Sequence, residues 1–180
     1  MQVFSTISGV LFPSHCLVCK QQGNYLCLSC KAKLLPHPEI CPSCHKVSPN
    51  ALTCFSCKEQ NKTVLSGVLI PFSYNQEIKK CLYAVKFYHR YDIAGFLAER
   101  LALHIQSHPI LHEAPGNTVI TRVPNHRTRR RFQKGYNQSK ILATQTARLL
   151  DIPAIGLVSK IKKTASQVSL SRAERLQNLL

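Results

Sequence analysis

Eight cysteines repeat one spacing, Cys16/Cys19, Cys27/Cys30, Cys41/Cys44 and Cys54/Cys57, and a ninth, Cys81, stands alone downstream. A Cys-x-x-Cys turn presents two sulfurs on one side of a tight loop, so two turns close one tetrahedral thiolate site and four turns close two. Zinc is the metal such sites prefer. Disulfide frameworks rarely repeat one spacing four times, and neither redox thiols nor an iron–sulfur cluster needs four identical turns. The spacing leaves the pairing open: a sequential scheme joins the first two turns and the last two, and a cross-braced scheme exchanges partners. His15 and His45 each adjoin a cysteine and are candidate substitutes for one ligand. Sites closed by four protein ligands are structural. Cys81 falls in a helical stripe and reads as a buried thiol.

The second constellation is a basic run, Arg122-Val-Pro-Asn-His-Arg127-Thr-Arg129-Arg130-Arg131-Phe132-Gln-Lys134-Gly135-Tyr136-Asn137-Gln138, between an expected strand and an expected helix. Ligands of open α/β sheets gather where such loops cross the carboxyl edge, and amides at a helix start attract anions. Arg127, Arg129, Arg130, Arg131, Lys134, Gly135, Tyr136, Asn137 and Gln138 are therefore candidates for phosphate or nucleic-acid contact; the competing reading is a solvated basic loop. A third segment runs from Thr164 through Gln167 to a Ser171-x-x-Glu174 capping box, followed by Arg172 and Arg175. It reads equally as a polar flap over a phosphate ester, with Gln167, Arg172 and Arg175 as contacts, or as an ordinary surface loop and capped helix.

These groups need elements to position them. Residues 13–62 hold the eight paired cysteines and five of the ten prolines with almost no helical periodicity, so this stretch reads as loops and short hairpins that fold around metal. From Val64 the pattern changes. Residues 68–74 read as a strand; Ile78, Cys81, Leu82 and Val85 recur at helical spacing, as do Ile93, Leu97, Leu101 and Ile105. Residues 118–123 read as a strand ended by Pro124, residues 137–150 as a helix, and residues 154–159 as a further strand. The order favours parallel pairing. The expected class is α/β: a small zinc-ribbon module over residues 1–63, then part of a parallel-sheet domain over residues 64–180.

The composition agrees with a soluble globular protein. The 180 residues are 44% hydrophobic and 18% charged, and 24 Lys and Arg against 8 Asp and Glu give a formal net charge of +16. Residues 120–180 hold 13 of the 24 basic side chains and only Asp151 and Glu174 against them, so the basicity is concentrated in the last third. Each four-thiolate zinc site carries a charge of about −2, which brings the folded chain to about +12 and leaves that basic third intact. Polyanions are the expected partners. No stretch approaches the roughly 18–20 apolar residues of a membrane span. The first nineteen residues contain no Lys or Arg, and the short apolar run 10–12 is no signal-peptide core, so a cytoplasmic location is expected.

Taken together, the four Cys-x-x-Cys turns, Val123-Pro124, Arg130, the Lys134-Gly-Tyr-Asn-Gln138 stretch, and Thr164, Gln167, Leu170, Ser171, Arg172, Glu174, Arg175 and Asn178 resemble the ComF family. The likeness runs from about Phe12 to Asn178, with Tyr136 where many members carry Phe. It implies a double zinc ribbon fused to a type I phosphoribosyltransferase fold, acting on the cytoplasmic side in DNA uptake during natural transformation, with single-stranded DNA, a competence helicase or a phosphorylated small molecule as partners. One departure stands against catalysis. The fold binds phosphoribosyl pyrophosphate, with Mg2+, through two adjacent acidic residues followed by Thr-Thr-Gly. No two of the eight acidic residues here, Glu39, Glu59, Glu77, Asp92, Glu99, Glu113, Asp151 and Glu174, are neighbours. In the family that loop follows the position of Asn178, so a chain shortened before its phosphate loop is expected, with the cofactor bound only if the fold is completed. Three functions follow: a competence protein not catalytic alone, a zinc-dependent module binding single-stranded DNA or a partner, or an inactive shortened product.

Overall fold

The computed structural model describes residues 14–109, 118–125, 137–161, 164 and 170–177. Among them run six α-helices: α1 Leu28–Lys31, α2 Phe55–Glu59, α3 Gln76–Phe87, α4 Tyr91–Gln106, α5 Gln138–Leu150 and α6 Arg172–Gln177. A 3-10 turn, Pro49–Ala51, precedes α2.

The long helices carry the signals their sequences predict. The Asn75 side chain accepts the Ile78 N–H at 3.0 Å and caps α3, with Glu77 in its first turn and Lys86 in its last, each on the favourable end of the helix dipole. The Asn137 side chain does the same for α5, accepting the Lys140 N–H at 3.0 Å, and Asp151 ends that helix in the left-handed region at φ 55°. In α6 the capping box closes in both directions: the Ser171 N–H donates to the Glu174 carboxylate at 2.7 Å, and the Glu174 N–H to the Ser171 hydroxyl at 3.4 Å. These bonds hold the Glu174 carboxyl below its usual range, the Ser171 hydroxyl contributing most.

Burial corrects two of the expected stripes by a register step. In α3 the inward face is Ile78, Cys81, Ala84 and Val85, and Leu82 lies on the exposed side. In α4 it is Ile93, Ala94, Leu97, Ala98 and Ala102, and Leu101 and Ile105 are only half-buried. The step has a physical reason: α4 packs chiefly on α5, and alanines let the two backbones approach closely. Ala147 and Thr146 of α5 are buried, and the Thr146 hydroxyl reaches the Ala98 carbonyl at 3.5 Å. Ala98 has no exposed surface, so Ala98→Leu should force the helices apart and cost about 1–3 kcal/mol by urea denaturation.

The β expectations fare differently. The strand expected over residues 68–74 is absent: Pro71 has no N–H for a ladder, and the segment instead wraps the ribbons. The Val68 N–H goes to the Ala51 carbonyl at 2.9 Å, the Ser73 N–H to Leu35 at 2.8 Å, and the Ser73 hydroxyl to Pro36 at 2.9 Å. Segments 118–123 and 154–159 do meet, as one parallel bridge between Ile120 and Ala154, with the Ile120 N–H on the Pro153 carbonyl and the Ile155 N–H on Ile120, both at 2.9 Å. Among the described residues no strand longer than a bridge forms.

The core joins the ribbon to the helices. Cys16, Leu26, Cys30 and Leu34 lie in one buried cluster with Ile78, Cys81 and Val85 of α3 and Ile93, Ala94 and Leu97 of α4. Polar ties reinforce it. The Asn75 amide donates to the Lys33 carbonyl at 3.0 Å, the Lys80 ammonium to Val18 at 3.1 Å, and the Arg90 guanidinium lies 3.3 Å from the Tyr25 ring centroid.

Candidate metal centres

Each ribbon is built twice over from the same parts. Its first Cys-x-x-Cys is a tight backbone knuckle: the Lys20 N–H returns to the Cys16 carbonyl at 2.9 Å, and the His45 N–H to Cys41 at 3.0 Å. The residue after the second cysteine must then turn left-handed, and Lys20 (φ 69°) and His45 (φ 60°) both do. The Cys16 N–H closes on the Gln21 carbonyl at 2.8 Å and the Cys41 N–H on Lys46 at 2.9 Å, leading into the bridges His15–Gln22 and Ile40–Val47. The second Cys-x-x-Cys of each ribbon opens a short helix, with Cys27 the N-cap of α1 and Cys54 the N-cap of α2.

This geometry settles the pairing as sequential. The sulfurs of Cys16, Cys19, Cys27 and Cys30 lie within 4.8 Å of one another, and so do those of Cys41, Cys44, Cys54 and Cys57. A tetrahedron with Zn–S bonds of about 2.3 Å has sulfur–sulfur edges of about 3.8 Å. The Cys19 and Cys27 sulfurs are 3.6 Å apart, and those of Cys44 and Cys54 are 3.8 Å apart. Both tetrads therefore fit a zinc ion, whose role when bound is to cross-link two turns through four thiolates that fill its coordination. His15 and His45 belong to neither set. His45 sits where the knuckle demands positive φ, so a β-branched residue there should be strained: His45→Val should cost about 1–2 kcal/mol, whereas His45→Gly should keep two zinc ions per chain by metal analysis.

The peptide backbone prepares the ligands. Burial works against a Cys16 thiolate, but the N–H groups of Cys19, Cys27 and Val18 outweigh it and bring its pKa down to about 6. At Cys41 the Cys44 N–H is the chief cause, and with help from Cys54 and Ser43 it overcomes burial to reach about 6. The Ser29 hydroxyl, 3.1 Å from the Cys27 sulfur, lowers Cys27. Cys30 goes the other way, pushed up to about 12 by burial and by the neighbouring sulfurs. A dication among the sulfurs supplies the charge that holds all four deprotonated. Sequence could not show these donors, because they are backbone groups of a particular turn. Cys81 is fully buried beside the first tetrad, and burial pushes its thiol up to about 11, as a packing residue requires.

The basic candidates are less fully placed. Arg127, Arg129, Arg130, Arg131, Lys134, Gly135, Tyr136 and Gln167 lie outside the described residues. Of the rest, Asn137 is the α5 cap and Gln138 the first residue of that helix, while Arg172 and Arg175 are exposed on α6, with the Arg175 guanidinium on the Leu170 carbonyl at 3.0 Å.

Comparison with known proteins matches these features. Residues 7–59 match the double zinc ribbon domain family. Beyond the ribbon, the chain is 29% identical over 174 residues to Competence protein F of Haemophilus influenzae, an alignment covering 93% of this chain and 75% of that one. Together the two matches support a ComF-family assignment. No solved structure matches the chain. The double zinc ribbon match covers both tetrads and ends at residue 59, so for α3 to α6 the similarity rests on the longer alignment alone. Among the described residues, no helix is long and apolar enough to cross a membrane.

Proposed function

We propose that this chain takes part in the cytoplasmic step of DNA uptake in natural transformation. The observation that carries the reading is the similarity to Competence protein F over nearly the whole chain. In this reading residues 1–63 are a zinc module that braces a phosphoribosyltransferase-like part over residues 64–180. The basic last third, from Arg127 through Lys134 to Arg175, engages the phosphates of incoming single-stranded DNA. In this reading the role of that region is to bind the strand and hand it on.

The test is genetic and direct. Deleting the gene should abolish or sharply lower transformation by purified DNA while labelled DNA still enters the cell envelope, and restoring the intact chain should rescue it. Transformation at the parental frequency in the deletion strain would end the proposal.

A further inference from the structure

The exposed side of α3 and the turn after it carry an unusual set of side chains. Lys79, Lys80, Tyr83, Lys86, Phe87 and Tyr88 all face solvent. Their rings cluster: Tyr83 and Phe87 have centroids 4.3 Å apart, Tyr83 and Tyr88 meet edge to face at 5.8 Å, and the Lys86 ammonium lies 5.3 Å from the Phe87 centroid. Tyr83 is 51% exposed and Tyr88 67%, although such rings are the groups a small domain has most to gain by burying. The carboxylates nearby are few. Glu77 lies one turn back on α3, and Asp92 is taken up by Arg90 at 3.1 Å.

We propose that this face is a base-stacking site for single-stranded nucleic acid, built from other residues than the basic run 127–138 and resting on the DNA-handling role proposed above. The occupant follows from the chemistry. Lysines interleaved with the rings complement a polyanion, and a ring-rich face with Leu82 as its main aliphatic group suits planar bases, whose π-faces stack on aromatic side chains whatever the sequence. Phosphates would run along Lys79 and Lys86 while bases lie against Tyr83, Phe87 and Tyr88.

The zinc-loaded full chain and fluorescein-labelled dT20 provide the test, read by anisotropy. Tyr83→Ala and Tyr88→Ala should each weaken binding roughly fivefold or more without changing its salt dependence, while Tyr83→Phe and Tyr88→Phe keep it. Lys79→Ala with Lys86→Ala should make the slope of log affinity against log salt shallower by about 1.4. The chain has no Trp, so Tyr88→Trp gives a single reporter whose emission should be quenched by dT20. Because the rings are exposed, zinc content and helicity should be unchanged in every variant. If the wild type binds dT20 and the alanine variants bind equally well, or the tryptophan emission is unmoved at saturation, the stacking site is refuted and the DNA-handling role stands. If the wild type fails to bind at low salt, both fall. Displacement of dT20 by polyglutamate as readily as by unlabelled strand would mark the face as a dock for acidic protein and overturn the proposal.

Discussion

Replacing Cys30 with Ser should melt the helical part of the molecule along with its metal site, while the equivalent change at Cys57 should leave the long helices in place. The two cysteines hold the same position in their tetrads, each two residues inside a short helix. Their surroundings differ. Cys30 is 1% exposed within the cluster that includes Ile78, Val85, Ile93 and Leu97, so the first metal site and the α3–α4 core are one packed unit. Losing zinc coordination there should cost about 5 kcal/mol or more, comparable to the whole stability of a small domain. The second tetrad reaches the remainder of the protein through thinner ties: the His108 ring on the Asn50 carbonyl at 2.6 Å, and the Thr53 and Val68 N–H groups pairing the ribbon with the segment that follows it. Circular dichroism at 222 nm during heating, with zinc released to a chromophoric chelator, distinguishes the two cases. Cys30→Ser should show low helicity and at most one zinc; Cys57→Ser should keep most helicity with one zinc. Equal collapse in both variants would mean that the ribbons act as one unit.

The second large effect concerns salt. If the basic run contacts DNA through Arg129, Arg130, Arg131 and Lys134, four phosphate contacts to a single strand give a slope of about −2.8 in log affinity against log salt, or roughly a 50-fold loss between 50 and 200 mM. Changing Arg129, Arg130 and Arg131 together to Ala should remove about 2.1 from the observed slope, leaving the smaller shares of Lys134 and of the α3 lysines. The stacking variants on α3 lower affinity at constant slope, so the two surfaces separate in a single titration series. A slope left unchanged by the triple replacement would place the phosphate contacts elsewhere on the chain.

Sequence reading succeeded where side-chain type and spacing carry the information. Four Cys-x-x-Cys turns, the Ser171 capping box and the helices over residues 76–87, 91–106 and 138–150 are local, and all appear in the structure, with the buried stripes of α3 and α4 shifted from those expected. It failed where one residue has two duties or a backbone group does the work. Cys16 and Cys30 look like ligands alone in sequence, yet both are also core residues that lock the ribbon to α3 and α4. The apolar run at residues 68–74 looks like a strand because its side chains suit one, but Pro71 and the carbonyls of Leu35, Pro36 and Ala51 claim its backbone. The alanine seam between α4 and α5 was hidden because alanine carries little hydrophobic signal even where close approach depends on it. At the site, the cysteines were readable and the N–H donors that ready them were not.

The shared core also sets an order of events during synthesis. Cys16 and Cys30 leave the ribosome well before the residues they pack against, since Cys81 and Val85 follow them by 51 to 69 positions. At elongation rates of about 5–20 residues per second that gap lasts about 3–14 s. The four sulfurs of the first tetrad need only a stretch of fifteen residues to meet, so they can capture metal throughout that interval. A nascent chain charged with zinc then offers α3 a preformed apolar seat as it emerges, whereas a cell short of zinc would release chains whose first helices find nothing to dock on. The abundance of this protein should therefore follow zinc supply at the moment of translation more closely than zinc supply afterwards.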